Sequence, residues 1–123
     1  MVIGVQEQPA VRAALKRAKA RLDRLQLYPA PVRIDRVRVH VWPRLFRLPW
    51  FNRFDGYAAW STIHLRDPVE STSPDLICHE LCHVWQMQHR PVAMPLSYLR
   101  DGYERNRYEE EAQRAVAETR PVA

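Results

Sequence analysis

The stretch Ser73 to Arg90, SPDLICHELCHVWQMQHR, decides how this chain is read. Ser73 is a good helix N-cap, Pro74 falls at the first helical position, Asp75 suits the positive end of the helix dipole, and Pro91 stops the run. A helix from Ser73 to Arg90 is therefore predicted. Inside it His79-Glu80-Leu81-Cys82-His83 spells H-E-x-x-H, which on a helix sets two imidazoles one turn apart on one side with a carboxylate beside them. At about 100° per residue, Cys78, Leu81, Cys82 and Trp85 make an apolar stripe, while His79, Glu80 and His83 cluster opposite. The spacing thus separates a packing face from a chemical face, and the chemistry it suits is that of a zinc-dependent hydrolase.

Zinc held by two histidines needs a third protein ligand and one open position for water. The source is downstream, in Asn106 to Val116, NRYEEEAQRAV. Asn106 can cap this second helix, and Glu109, three residues on, stands where a capping box has its carboxylate. Helical geometry puts Glu109 on the face of Ala112, Gln113 and Val116, Glu110 at the flank, and Glu111 pointing away. Glu109 is favoured as the ligand over Glu110 and Glu111, because a coordinating carboxylate must face inward.

HELCHVWQMQ followed by NRYEEEAQ resembles the gluzincin metallopeptidases, and in size the chain is similar to their smallest members, the minigluzincins. The clan's glutamate helix often reads E-x-x-A-D; Glu109-Glu110-Glu111-Ala112-Gln113 matches it except at Gln113, which stands where the acidic residue beside the ligands would be. The resemblance implies Zn²⁺ on His79, His83 and Glu109, Glu80 as general base, and a peptide or protein as substrate. For the first half of the chain it implies a supporting helix and a small mixed sheet whose edge strand holds an extended substrate.

The rest of the chain sets limits. With 123 residues and 46% hydrophobic composition, one domain spanning 1–123 is expected. Met1 to Gln8 lacks a basic region followed by an apolar one, and no window nears the ~18 apolar residues of a membrane span, so a cytoplasmic chain is expected. Cys78 and Cys82 read as small buried residues, and the C-x-x-C-H spacing of a haem attachment is absent. The net charge of +5 comes from nineteen basic residues, of which only Lys16 and Lys19 are lysines. No nucleic-acid motif accompanies it, so a solvated basic surface is the simpler account.

Pro9 to Leu27 has Val11, Ala14, Leu15, Ala18, Leu22 and Leu25 at three- and four-residue spacing, a scaffold helix ended by Tyr28-Pro29-Ala30-Pro31. Val32 to Trp42 alternates as a strand, with Val37, Val39 and Val41 inward and Arg36, Arg38, His40 and Trp42 outward. Segment 42–54 mixes aromatics, arginines and two prolines. It reads as a loop or an irregular strand pair that walls a pocket, meets a partner or membrane, or folds back to seal the core. Asp55-Gly56 marks a turn, and Tyr57 to Leu65, YAAWSTIHL, reads as one strand with His64 on its surface. Val92 to Tyr103 reads as a loop with one helical turn, and Glu118 to Ala123 as a frayed tail. Tyr98, Tyr103 and Tyr108 lie in or beside that loop, so one phenol can serve a developing oxyanion.

The fold class expected is α+β, a minimal zincin-like unit: N-terminal helix, small mixed or antiparallel sheet, H-E-x-x-H helix and C-terminal glutamate helix. Its function is zinc-dependent peptide hydrolysis. Two alternatives compete with it: a weak or inactive zinc-binding regulatory protein, and a basic interaction module built on segment 42–54.

Overall fold

The computed structural model describes residues 4–6, 9–49, 52–104 and 106–121. Four strands and four helices appear in the order β1 (Gly4–Gln6), α1 (Pro9–Leu22), β2 (Arg38–Val41), β3 (Gly56–Ala59), β4 (Thr62–Leu65), α2 (Pro74–His89), α3 (Ala93–Asp101) and α4 (Arg107–Thr119). The chain is therefore α+β, with one small mixed sheet in the order β1-β2-β4-β3. The β1–β2 and β3–β4 pairs are antiparallel, and β2 runs parallel to β4 with Val39 opposite Ile63. None of the helices is long and apolar enough to cross a membrane among the described residues.

Alternation and helical spacing meet in one core. Val39, Ile63 and Leu65 point from the sheet toward Val11, Leu15 and Leu22 of α1, Leu81, Val84 and Trp85 of α2, and Ala112 and Val116 of α4. α1 stops at Leu22, five residues before the expected end. Leu25 and Leu27 are two apart and cannot share one helical stripe, so the chain turns after Leu22 and lays both against the core from an irregular connection. The strand expected from Val32 to Trp42 is paired only over Arg38–Val41. Upstream, the Arg12 guanidinium donates to the carbonyls of Ile34 and Val37 at 2.8 and 3.0 Å, so these groups turn to a side chain instead of a neighbouring strand. Val37 and Val39 are buried as expected, whereas Val41, His40 and Trp42 are all half-buried.

Tyr57 to Leu65 is a hairpin, not one strand. The chain reverses at Trp60-Ser61, pairing Ala58 with Ile63 and Ala59 with Thr62. Trp60 takes φ of 52°, a left-handed conformation that usually falls to Gly, Asn or Asp in tight hairpins. It is fixed there by its backbone N–H on Met87 Sδ at 3.2 Å and its indole N–H on the Pro91 carbonyl at 3.0 Å. The hairpin makes β3 an edge strand lying against α2, close enough that a Cβ added at Gly56 would come within 3.4 Å of the Glu80 side chain.

Where a loop with one helical turn was expected, α3 runs nine residues. Pro95 is accommodated because the first turn of a helix has no use for its missing N–H, and Gly102, at φ 74°, ends the helix in the left-handed region. Nor is the tail frayed at its start. Thr119 is buried inside α4 and accepts from Arg21 Nε at 3.2 Å, and Arg120 reaches Asp75 at 2.9 Å. Val122 and Ala123 lie outside the described residues, as do Trp50 and Phe51 of the arginine-aromatic segment. Of that segment's remaining aromatics, Phe46 is buried, and Phe54 packs on Tyr57 and Tyr103.

Candidate metal centre

The N-terminus of α2 is set by Ser73, whose hydroxyl accepts from the Leu76 N–H at 3.1 Å, with Pro74 opening the first turn. From Ile77 to Met87 nearly every side chain of this helix is buried, so the apolar and chemical faces are both covered. Cys78, Leu81, Cys82 and Trp85 form the expected stripe against the core. His79, Glu80 and His83 face a cleft of about 1180 Å³ whose floor is α2 and whose walls come from β3, α3 and α4.

The start of α4 supplies the third group. Asn106 Oδ1 accepts from the N–H groups of Tyr108 and Glu109 at 2.8 and 3.1 Å, capping the helix. Glu109, freed from the reciprocal capping role, turns its carboxylate into the cleft. Oε2 lies 2.9 Å from His79 Nε2, and Oε1 lies 2.9 Å from His83 Nε2. The three donor atoms fall within 4.8 Å of one another. Ala112, one turn further along α4, is fully buried, and its small side chain permits the close approach of α4 to α2.

The electrostatics follow from this crowding. Burial pushes the Glu109 carboxyl up, but hydrogen bonds and positive charge from His79 and His83 prevail and hold it well below the usual carboxylate range. For His83, burial disfavours the charged ring; the Glu109 hydrogen bond and the Glu80 and Glu109 charges outweigh it, so its pKa rises. Glu80 is raised, chiefly by burial, against the opposing pull of the two histidines and with added repulsion from Glu109. A carboxylate tuned upward beside a donor cluster is what proton transfer near neutral pH requires.

Two of the three expected tyrosines reach the site. The hydroxyls of Tyr98 and Tyr103 donate to Glu109 Oε1 and Oε2 at 3.3 and 3.1 Å. Burial, then the Glu109 charge, pushes both phenols up, which keeps them protonated as donors. Tyr108 does not join them: its ring packs with Met87 and Met94, and its oxygen accepts from Arg107 at 3.0 Å. Helix periodicity accounts for the difference, since Tyr108 is one residue before Glu109 and so about 100° away. Gln113, four residues after Glu109, donates to Glu109 Oε2 at 3.3 Å and touches neither imidazole.

The sequence reading missed three residues around His83. Gln86 is fully buried with Oε1 2.7 Å from His83 Nδ1. Glu111, expected to point away, is half-buried and accepts from Gln86 Nε2 at 3.1 Å and from the Tyr28 hydroxyl at 2.7 Å. A signal for Gln86 was present: seven residues after His79, it falls on the same helical face as both histidines. His40 and His64 pair across β2 and β4, away from the cluster, and are half-buried instead of lying on the surface. Glu110 is exposed. Arg53 and Phe54 line the cleft, so part of the arginine-aromatic segment is a pocket wall.

Protein-family models, curated proteins and solved structures offer no match to this chain.

Proposed function

We propose that this chain is a zinc-dependent peptidase of gluzincin type, in which His79, His83 and Glu109 hold the metal and Glu80 is the general base. The observation that carries the reading is the convergence of two imidazole nitrogens and one carboxylate within 4.8 Å, with Glu80 buried beside them. The donor set fits the metal: nitrogen and carboxylate oxygen are ordinary zinc ligands, and three protein ligands leave a position for water, as catalytic zinc requires. A closed structural site would supply a fourth side chain and would have no use for a buried general base.

When bound, the ion would supply Lewis acidity, lowering the pKa of water toward ~7 and polarising a carbonyl. The chain's own residues do the rest. Glu80 takes the proton released as water attacks the scissile carbonyl and passes it to the leaving amine. Tyr98 and Tyr103, held protonated at the cleft, can turn a phenolic O–H from Glu109 toward the developing oxyanion. An extended peptide would lie along β3, the last strand in the sheet order, whose residues Gly56 to Ala59 line the cleft. Substrate recognition of this kind rests on backbone groups, with Phe54, Met94 and Leu99 available to apolar side chains.

The test is metal content followed by cleavage of a peptide library. We expect one zinc per chain in the purified protein, lost or much weakened in His79→Ala and Glu109→Ala, and metal-dependent hydrolysis by the wild type. A wild type that stays metal-free after reconstitution with zinc overturns the reading. Zinc uptake with no hydrolysis would leave a metal-binding protein without peptidase activity.

A further inference from the structure

Gln86 stands on α2 one turn beyond His83, fully buried, and every polar atom of its amide is engaged. Nε2 lies 2.8 Å from the Tyr108 carbonyl oxygen and 3.1 Å from Glu111 Oε1, while Oε1 lies 2.7 Å from His83 Nδ1. A backbone carbonyl and an ionised carboxylate accept hydrogen bonds and cannot donate them. The amide nitrogen must therefore face Tyr108 and Glu111. Flipping the amide would press its oxygen against both acceptors inside the protein, where an unmade hydrogen bond is costly. Its oxygen is left facing His83, and because an amide oxygen only accepts, His83 must carry a hydrogen on Nδ1.

That assignment decides which nitrogen of the neutral ring has a free lone pair. With Nδ1 protonated it is Nε2, the atom that faces Glu109 and lies among the three donor atoms. The carboxylate behind Gln86 is itself restrained. Tyr28, in the connection after α1, donates to Glu111 at 2.7 Å, and its ring is wedged between Trp85, at 5.4 Å edge-on, and His89, stacked at 5.0 Å. The geometry points to Gln86 as a positioning residue that fixes His83 in the Nδ1–H tautomer for metal binding through Nε2, with Glu111 and Tyr28 holding the amide in the only orientation that does so. The role in metal binding rests on the zinc site proposed above; the hydrogen on Nδ1 follows from the Gln86 hydrogen bonds alone, and Nε2, 2.9 Å from Glu109 Oε1, would give up its own hydrogen to ligate.

Two measurements on the full chain separate the two readings. Nitrogen-15 NMR of the histidine rings in the zinc-loaded wild type is expected to show the His83 hydrogen on Nδ1. In metal-free protein, where Nε2 faces the Glu109 carboxylate at 2.9 Å and carries a hydrogen of its own, a hydrogen on Nδ1 is likewise expected. A His83 Nδ1 without a hydrogen in either state overturns the inference, whether or not zinc binds. Failure of the wild type to take up zinc would instead remove the proposed function while the ring spectrum still reported on Gln86.

Chelator competition then compares wild type with Gln86→Met, which keeps the side-chain length and removes the hydrogen bonds. The expected result is a zinc affinity weaker by roughly 10- to 100-fold, the usual cost of losing a residue that orients a metal ligand. Glu110→Gln, a charge change on the exposed side of α4, should leave the affinity unchanged. Equal affinity in Gln86→Met and wild type overturns the positioning role. If Gln86→Met does not fold, the wild-type ring spectrum remains decisive.

Discussion

Glu80 and Glu109 are the same side chain placed in opposite electrostatic situations. Glu109 faces two imidazoles and stays ionised; Glu80 is buried with Glu109 adding repulsion, and its pKa rises. In the reaction proposed above, separating two carboxylates in this way would divide the labour between a group that holds charge and a group that moves a proton. The consequence for Glu80→Gln is specific. The variant cannot accept a proton, so turnover is expected to fall by roughly 10²- to 10⁴-fold while zinc content stays at the wild-type level. Steady-state kinetics alongside metal analysis checks both halves, and unchanged hydrolysis would remove Glu80 from the mechanism. At this scale the sequence was most informative. That His79, Glu80, His83 and Glu109 face one cleft could be read from spacing, because a helix turns spacing into direction. Glu111 was misread because Gln86 and Tyr28 capture it from the flank, a tertiary contact that no local pattern records.

Among the elements, α4 is the one whose placement most directly controls the site. Its first turn is anchored by Asn106, which caps the helix and also donates from Nδ2 to Ser97 Oγ at 2.7 Å, joining α4 to α3. Asn106→Ala would lose the cap and leave Ser97 without that donor in a buried place. The expected cost is about 2–3 kcal/mol, read as a lower urea midpoint with an unchanged m-value. Helices α1, α2 and α4 were all legible in sequence, since each combines a 3.6-residue apolar rhythm with end signals. The β3–β4 hairpin was not. Its turn lacks the Gly or Asn that normally announces a left-handed residue, and Trp60 adopts that conformation because Met87 and Pro91, distant in sequence, hold it. The same limit explains α3, where Pro95 suggested a loop but falls in the one turn of a helix that tolerates it.

Across the whole molecule, one arginine ties the two halves of the chain together. Arg21 of α1 donates to Asp75 at the start of α2 at 2.9 Å and to the Val116 carbonyl and Thr119 hydroxyl of α4 at 3.0 and 3.2 Å. Arg120 adds a second contact to Asp75. Slight burial pushes the Asp75 carboxyl up, but the hydrogen bonds and charges of Arg21 and Arg120 prevail and lower it. A carboxylate whose folded pKa lies below its unfolded value, ~3.9, contributes stability that is fully present above that pH. The contribution is lost as pH falls through the folded pKa. Wild type should therefore lose its melting-temperature advantage over Asp75→Asn as pH drops below about 4. Two melting curves that run parallel from pH 7 to pH 2 would show that Asp75 contributes nothing through this contact.

The two cysteines follow from the same packing and have a use of their own. Cys78 and Cys82 bracket His79 and Glu80 on α2, both have no exposed surface, and burial raises both thiols. A thiol so placed is inert until the helix lifts away from its neighbours, since the reactive thiolate is both hidden and disfavoured. Their alkylation rate is therefore a clock for the opening of the very segment that carries the histidines, native to the chain and needing no added label.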